Sequence, residues 1–276
     1  MGCTSSRVDA SCEEAAMING DFKLYFDNYE VSRLYSEFKQ KSHEGKISLK
    51  DFKKLAKHLP LIYDKNEEVI GFYSHFSEGD HFDLRFLATL SVILGRGTTP
   101  NKVDVLYEIW AKTNGMSKSE FEAMLDFMFD LALDKLTTLA SKPDQSNNFT
   151  ESSLNSFLER ARVGRETSKE TLIKEIYKTD AVTKAEILRW AQTGDNANWL
   201  SARYIRANLK KAGKRVLHKK KRLENSKKSE VSATLEVSGA GVSVSVTEEH
   251  HHHHEHHHEG SDEHESKHHK EEVEAS

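Results

Sequence analysis

The chain has 276 residues, of which 37% are hydrophobic and 30% are charged, so it is polar for a globular protein yet long enough to bury a core. Its two cysteines, Cys3 and Cys12, both lie near the start and cannot staple such a core, which favours a reducing compartment. No run of about 18 apolar residues occurs, so the sequence predicts no membrane-spanning helix.

The formal net charge of -4 is unevenly distributed along the chain. Residues 210–228 contain ten cations and one acid, whereas residues 229–276 contain two cations and twelve acids. We therefore treat these two segments separately from the part that is expected to fold.

Residues 12–209 are predicted to be mostly helical, because their apolar residues recur at spacings of three and four. Thr99 and Pro100 are predicted to be the cap and the first position of one helix. Pro143 lies in a polar stretch over 141–148, which we take as a soft boundary between a first part, 12–140, and a second helical part, 141–209. Residues 1–11 are expected to be a flexible amino terminus.

A small unit recurs in the helical part: an apolar residue, then a capping residue, then an acid and a large apolar residue that open a helix. Its apolar positions are Ile47, Phe82, Met116 and Val182, and the longer last interval predicts a missing or diverged unit, or an insertion around Pro143. Capping boxes alone explain Ser117 with Glu120 and Thr183 with Glu186. The repetition, with an aromatic helix before each unit, indicates more.

This helix, short loop and capped helix pattern resembles the EF-hand family over about residues 30–190, and within it the myristoylated neuronal calcium sensors and calcineurin B-type subunits. The resemblance implies a mostly α fold of paired helix-loop-helix units with tiny loop-loop sheets. In such a fold Ile47 would pair with Phe82, and Met116 with Val182. It also implies a helical groove for a protein partner, lined by residues such as those of 124–129, although the same residues could simply be core.

The loops lack most of the oxygen ligands that calcium needs in an EF-hand. The first loop offers only Gln40, Ser42, Glu44 and Asp51, and the loops after Trp110 and Tyr177 are about two residues too short. Glu120 and Glu186 occupy ligand positions but also fit the capping boxes. We therefore expect a scaffold rather than a calcium site, with a genuine calcium sensor as the alternative.

The amino terminus carries the most specific motif, Met1-Gly2-Cys3-Thr4-Ser5-Ser6, which fits N-myristoylation of Gly2. A single myristoyl chain binds membranes weakly, so palmitoylation of Cys3 is the expected second signal.

The basic segment is a second candidate for membrane contact, because cations near an anionic leaflet favour binding. A nuclear or RNA-binding patch and a merely solvated helix end are the alternatives, and no interleaved aromatics support nucleic acid, which is not an expected partner. The residues predicted to contact the membrane are Lys210, Lys211, Lys214, Arg215, Lys219, Lys220, Lys221 and Arg222.

After the basic segment, apolar residues alternate over Val231–Val246, which predicts a weak hairpin within 229–247. Residues 248–276 are expected to be disordered, being rich in His and Glu with little to bury. Zinc or nickel could bind weakly there, and a metal-binding protein is a second alternative function. The candidate ligands are His250, His251, His252, His253, His254, His256, His257 and His258.

No catalytic motif stands out, since the H-E-x-x-H spelling at His264 lies in the acidic tail and has no predicted buried helix to present it. The sequence therefore predicts a non-enzymatic adaptor or regulatory subunit without a cofactor. We expect it at the cytoplasmic face of a membrane, the plasma membrane in particular.

Overall fold

The computed structural model describes residues 11–141 and 150–237, with side chains described up to Lys227. The first half of the described chain contains the helices α1 (Cys12–Phe22), α2 (Val31–Lys41), α3 (Leu49–His58), α4 (Glu67–Ser74), α5 (Leu84–Leu94) and α6 (Thr99–Trp110). The second half contains α7 (Lys118–Asp130), α8 (Glu151–Val163), α9 (Arg165–Ile176), α10 (Lys184–Ala191) and α11 (Ala202–Val237). None of the described helices is both long and apolar enough to cross a membrane.

Five very short strands lie in the loops between these helices: β1 (Lys46–Ser48), β2 (Ser77–Glu78), β3 (His81–Asp83), β4 (Met116–Ser117) and β5 (Ala181–Val182). One antiparallel sheet has the order β1-β3-β2 and places Ile47 opposite Phe82. The other pairs β4 with β5 and places Met116 opposite Val182. The mostly helical fold with tiny antiparallel sheets is confirmed, and both sheet registers contain the predicted residue pairs.

Side-chain caps begin the helices that follow the loops. The hydroxyl of Ser48 accepts from the Asp51 amide, and Ser117 and Thr183 form capping boxes with Glu120 and Glu186. The cap of α6 is Thr98 rather than the predicted Thr99, because the Thr98 hydroxyl is the one that accepts from the backbone amide three residues later.

The long interval between Met116 and Val182 holds inserted segments between the third and the fourth helix-loop-helix unit. Beyond α7 the chain continues through a π-helical segment, Leu131–Lys135, and a 3-10 segment, Leu136–Leu139. All four leucines of these segments are completely buried, and the 3-10 segment packs against α1 and α4. The helix α8 then precedes the last helix-loop-helix unit, which α9 and α10 form.

The core of the first two units is a cluster of aromatic rings around Phe52. Its ring centroid lies 5.0 Å from that of Phe82 and 5.3 Å from that of Tyr73. Edge-to-face and tilted contacts of this kind add to the burial of the rings. These ring contacts therefore connect strand β3 with helices α3 and α4.

The predicted hairpin over Val231–Val246 is wrong in its first half, because residues 231–237 continue α11. Extending an existing helix adds a hydrogen bond for each residue fixed, whereas an isolated pair of strands is marginal in water. The remainder of the predicted hairpin lies outside the described residues. The compact unit formed by the preceding elements ends at Lys227, and a second unit begins at Lys228.

Candidate functional site

The first loop, between α2 and α3, is closed by its own backbone. The amide of His43 donates to the Lys46 carbonyl at 2.8 Å, and the Lys46 amide donates back at 2.9 Å. Glu44 and Gly45 form the turn between them, both with positive φ, as a tight two-residue hairpin turn requires. The Lys46 carbonyl, at the loop position where an EF-hand uses a backbone carbonyl as a ligand, therefore accepts a hydrogen bond that closes the turn.

The candidate oxygen ligands of this loop are dispersed. Gln40 is exposed in the last turn of α2, and the Ser42 hydroxyl donates to the carbonyl of Lys39. Asp51 lies on α3, where its carboxylate accepts from the Ser48 hydroxyl at 2.7 Å and meets Lys54 at 3.4 Å. These hydrogen bonds lower the pKa of Asp51. The loop thus stabilises a helix start.

The carboxylates at the ends of the third and fourth loops serve as helix caps. Glu120 accepts from the Ser117 amide at 2.8 Å and from the Lys112 amide at 3.2 Å, so it also closes the loop that precedes it. Glu186 accepts from the Thr183 amide at 2.8 Å. These backbone hydrogen bonds lower the pKa of both carboxyl groups. Among residues 11–141 and 150–227, no cluster of three or more His, Cys, Asp or Glu side chains is placed to hold a metal ion.

The apolar face between α6, α7 and α10 is covered by the 3-10 segment Asn196–Leu200, which precedes α11. Trp199 packs against Phe129 with ring centroids 5.7 Å apart, and Leu200 is buried beside it. The space left there is about 20 Å³, which is about one water molecule. The predicted partner groove along 124–129 is therefore filled by the chain itself.

A lysine fixes this covering segment. The ammonium of Lys102, on α6, donates to the Leu200 carbonyl at 3.0 Å. Burial lowers the pKa of Lys102 to about 8, and the nearby Glu30 carboxylate opposes that shift only in part.

A buried ion pair joins the two ends of the folded unit. Arg206 of α11 is 1% exposed, and its guanidinium donates to both carboxylate oxygens of Asp21 on α1. It also donates to the Ala132 carbonyl in the π-helical segment at 3.3 Å. Burial raises the pKa of the Asp21 carboxyl, and the charge of Arg206 opposes that rise. The pair therefore joins α1, the π-helical segment and α11 at a buried position.

The base of α11 also touches the α8–α9 junction through two glycines. A Cβ on Gly213 would lie 1.7 Å from the Arg160 carbonyl oxygen, and one on Gly164 would lie 2.0 Å from the Leu209 carbonyl oxygen. Only glycine permits so close an approach of two backbones. The helix is therefore fixed in place up to Gly213.

Beyond this contact α11 becomes a basic surface. Every residue from Leu217 to Lys227 is exposed, including the four consecutive cations of 219–222. Lys211, Lys214 and Arg215 are exposed as well. Leu217 and Leu223 are unusual for such a helix because they are 41% and 56% exposed.

Lys210 differs from the other predicted membrane-contact residues. Its ammonium lies 3.8 Å from a Glu14 carboxylate oxygen on α1 and 4.1 Å from the centre of the Phe157 ring. Its side chain is only 19% exposed. It therefore holds the start of α1 beside the point where the basic surface begins.

No family model, curated protein or solved structure matches the chain. The function of these sites has to be inferred from their geometry. Gly2, Cys3 and the histidines of 250–258 lie outside the described residues.

Sequence reasoning missed Arg206, Trp199 and Lys102. A signal for Arg206 was present, because it follows Ile205 in a stripe with Ala202 and Leu209 that is spaced for one buried helix face. A cation in such a stripe predicts a buried partner. The sequence contains no comparable signal for the contact of Lys102 with a backbone carbonyl.

Proposed function

We propose that the protein is a non-enzymatic, membrane-tethered adaptor or regulatory subunit built from EF-hand-like helix-loop-helix pairs. The support for the EF-hand-like assignment is the antiparallel contact between adjacent loops in each pair. The loops act as a scaffold in this proposal, because their carbonyl and carboxylate groups are used for turn closure and helix capping. In this proposal the protein is tethered at the cytoplasmic face of the plasma membrane.

The observation that carries the membrane proposal is the contact of Lys210 with Glu14. It places the start of α1 at the base of the exposed basic part of α11. Gly2 and Ser11 are nine residues apart, which spans at most about 30 Å of extended chain. Acyl chains on Gly2 and Cys3 would therefore enter the membrane within reach of the cations of α11.

The two elements would act together. A myristoyl chain alone binds with an association constant of about 10⁴ M⁻¹, and a second acyl chain makes attachment stable. Each contacting cation contributes about 1 kcal/mol near an anionic leaflet. Two or three contacts would raise the binding of a singly acylated form by one to two orders of magnitude.

The test measures binding of the myristoylated protein to vesicles containing phosphatidylserine. The first variant replaces Lys219, Lys220, Lys221 and Arg222 with Gln. A matched control replaces four exposed cations of α3 with Gln: Lys50, Lys53, Lys54 and Lys57. We expect the first variant to bind the vesicles at least about tenfold more weakly than the unsubstituted protein, and the control to lose much less affinity. Both losses should become smaller at high salt, which screens the charges.

Equal losses in the two variants would show that only net charge matters, and would contradict a specific role for α11.

Gly2→Ala should release the protein from membranes in cells, and an unmodified Gly2 in the native protein would end the tethering proposal. A sub-micromolar calcium affinity of the described loops would support the calcium sensor instead. Zinc binding that controls a partner would support a function of the histidine-rich tail.

A further inference from the structure

The exposed part of α11 has apolar and basic side chains on more than one side. Leu217 and Leu223 are six residues apart, so they point about 120° apart around the helix axis. A flat surface cannot bury two such side chains fully at the same time. A partner that surrounds the helix can do so.

The cations are distributed in the same way. Residues 219–222 are four consecutive cations, and successive side chains on a helix are about 100° apart, so together they cover the whole circumference. A bilayer surface would neutralise only those on one side. An acidic channel around the helix would meet all of them, with Glu224 the one acid in the exposed stretch 217–227.

The helix is also already formed and accessible. The backbone of Gly213 is pressed against the α8–α9 junction, and all residues from Leu217 to Lys227 are exposed. A partner would not have to order the segment before binding it, which lowers the entropic cost of association. Basic helices with apolar anchors are typical ligands of acidic, methionine-lined grooves.

We propose that residues 214–227 of α11 are a docking helix for an acidic protein of the calmodulin type, which encloses the helix and buries Leu217 and Leu223 against different walls of its groove. This proposal does not depend on acylation or on membrane binding. The partner would cover the same cations that are available to a membrane, so docking and membrane contact of α11 would exclude each other.

The test is a calorimetric titration of the full-length Gly2→Ala protein with calcium-loaded calmodulin at about 0.15 M salt. We expect saturable 1:1 binding. Leu217→Ala and Leu223→Ala should each weaken it by about tenfold or more, since each removes most of a leucine side chain from a buried position. The matched control is Ile70→Ala on α4, which is also 41% exposed and should leave the affinity unchanged.

These substitutions are at exposed positions, so folding is preserved and circular dichroism checks it. The proposal is overturned if calmodulin does not bind, or if the leucine variants bind as tightly as the Ile70→Ala control. Binding to anionic vesicles without binding to calmodulin would assign the helix to the membrane alone. Failure of vesicle binding with retained calmodulin binding would contradict the membrane function and leave the docking helix intact.

Discussion

The two parts of α11 differ sharply although they belong to one continuous helix. From Ala202 to Gly213 the helix is held by the buried Asp21–Arg206 ion pair and by direct backbone contact with the α8–α9 junction. From Leu217 to Lys227 every residue is exposed. The comparison teaches that contacts of the first part determine where the helix points, while the second part presents its charged side chains to solvent.

The largest effect on the held part is expected from Arg206→Met. The substitution leaves the Asp21 carboxylate buried without its partner, which costs about 3 to 5 kcal/mol of unfolding free energy. Urea denaturation followed by circular dichroism measures this loss.

The double variant Asp21→Leu with Arg206→Met sharpens the interpretation. It removes both charges and replaces them with apolar side chains, so it should recover most of the stability lost in the single variant. A double variant that is as unstable as Arg206→Met alone would mean that the ion pair is not the source of the effect.

A smaller loss is expected from Gly213→Ala. The added methyl group would overlap the Arg160 carbonyl, and overpacking of this kind costs about 1 to 3 kcal/mol or more. Gly71→Ala on α4 is the matched control, because nothing lies within 4 Å of its Cβ position. That control should stabilise the protein by about 0.5 to 1 kcal/mol, since alanine favours a helix.

Equal and small effects of the two alanine substitutions would show that α11 is not pressed against the α8–α9 junction. Chemical denaturation of both variants under one set of conditions makes the comparison direct.

The last expected effect is a pH dependence at the segment that leads into α11. The folded pKa of Lys102 is about 8 and its ordinary value is 10.5, so between these values the unfolded chain binds more protons. Its contribution to stability therefore becomes more favourable as the pH rises from 8 to 10. The unfolding free energy of the wild-type protein should therefore rise relative to that of Lys102→Met as the pH increases over that range.

Lys184→Met is the control for this measurement. Its ammonium pairs with Asp104 at 2.9 Å, and that hydrogen bond raises its pKa above 10.5. Its contribution to stability should stay nearly constant from pH 7 to 10, because that contribution is present below the unfolded pKa of 10.5 and is lost as the pH rises from there through the folded pKa. A parallel change in both variants would rule out Lys102 as the cause.

Local rules explain which features could be predicted from the sequence. The capping boxes at Ser117 and Thr183 depend on neighbours within a few residues, so local rules predict them correctly. The pairing of Ile47 with Phe82 joins two distant loops, and it was predicted from the resemblance to paired helix-loop-helix units. The hairpin prediction failed at 231–237 because alternation in a short valine-rich stretch competes with extension of an existing helix.

Long-range contacts explain the rest. Trp199 covers an apolar face that residues about 70 to 100 positions earlier in the chain largely form, so no local pattern reveals it. The contact of Gly213 with Arg160 likewise depends on how two helices cross. For the same reason, the sequence could indicate that residues of 124–129 form an apolar face, but it could not indicate that Trp199 and Leu200 cover that face.

The Asp21–Arg206 pair also bears on the order in which the protein is made. The two residues are 185 positions apart, so Asp21 leaves the ribosome long before its partner exists. At about 5 to 20 residues per second, the interval is roughly 10 to 40 s. During that time α1 carries an unpaired carboxylate that cannot be buried cheaply, and final closure of the fold has to wait for the last described helix. Truncation before Arg206 would consequently leave a nascent chain that remains open, a natural substrate for quality control.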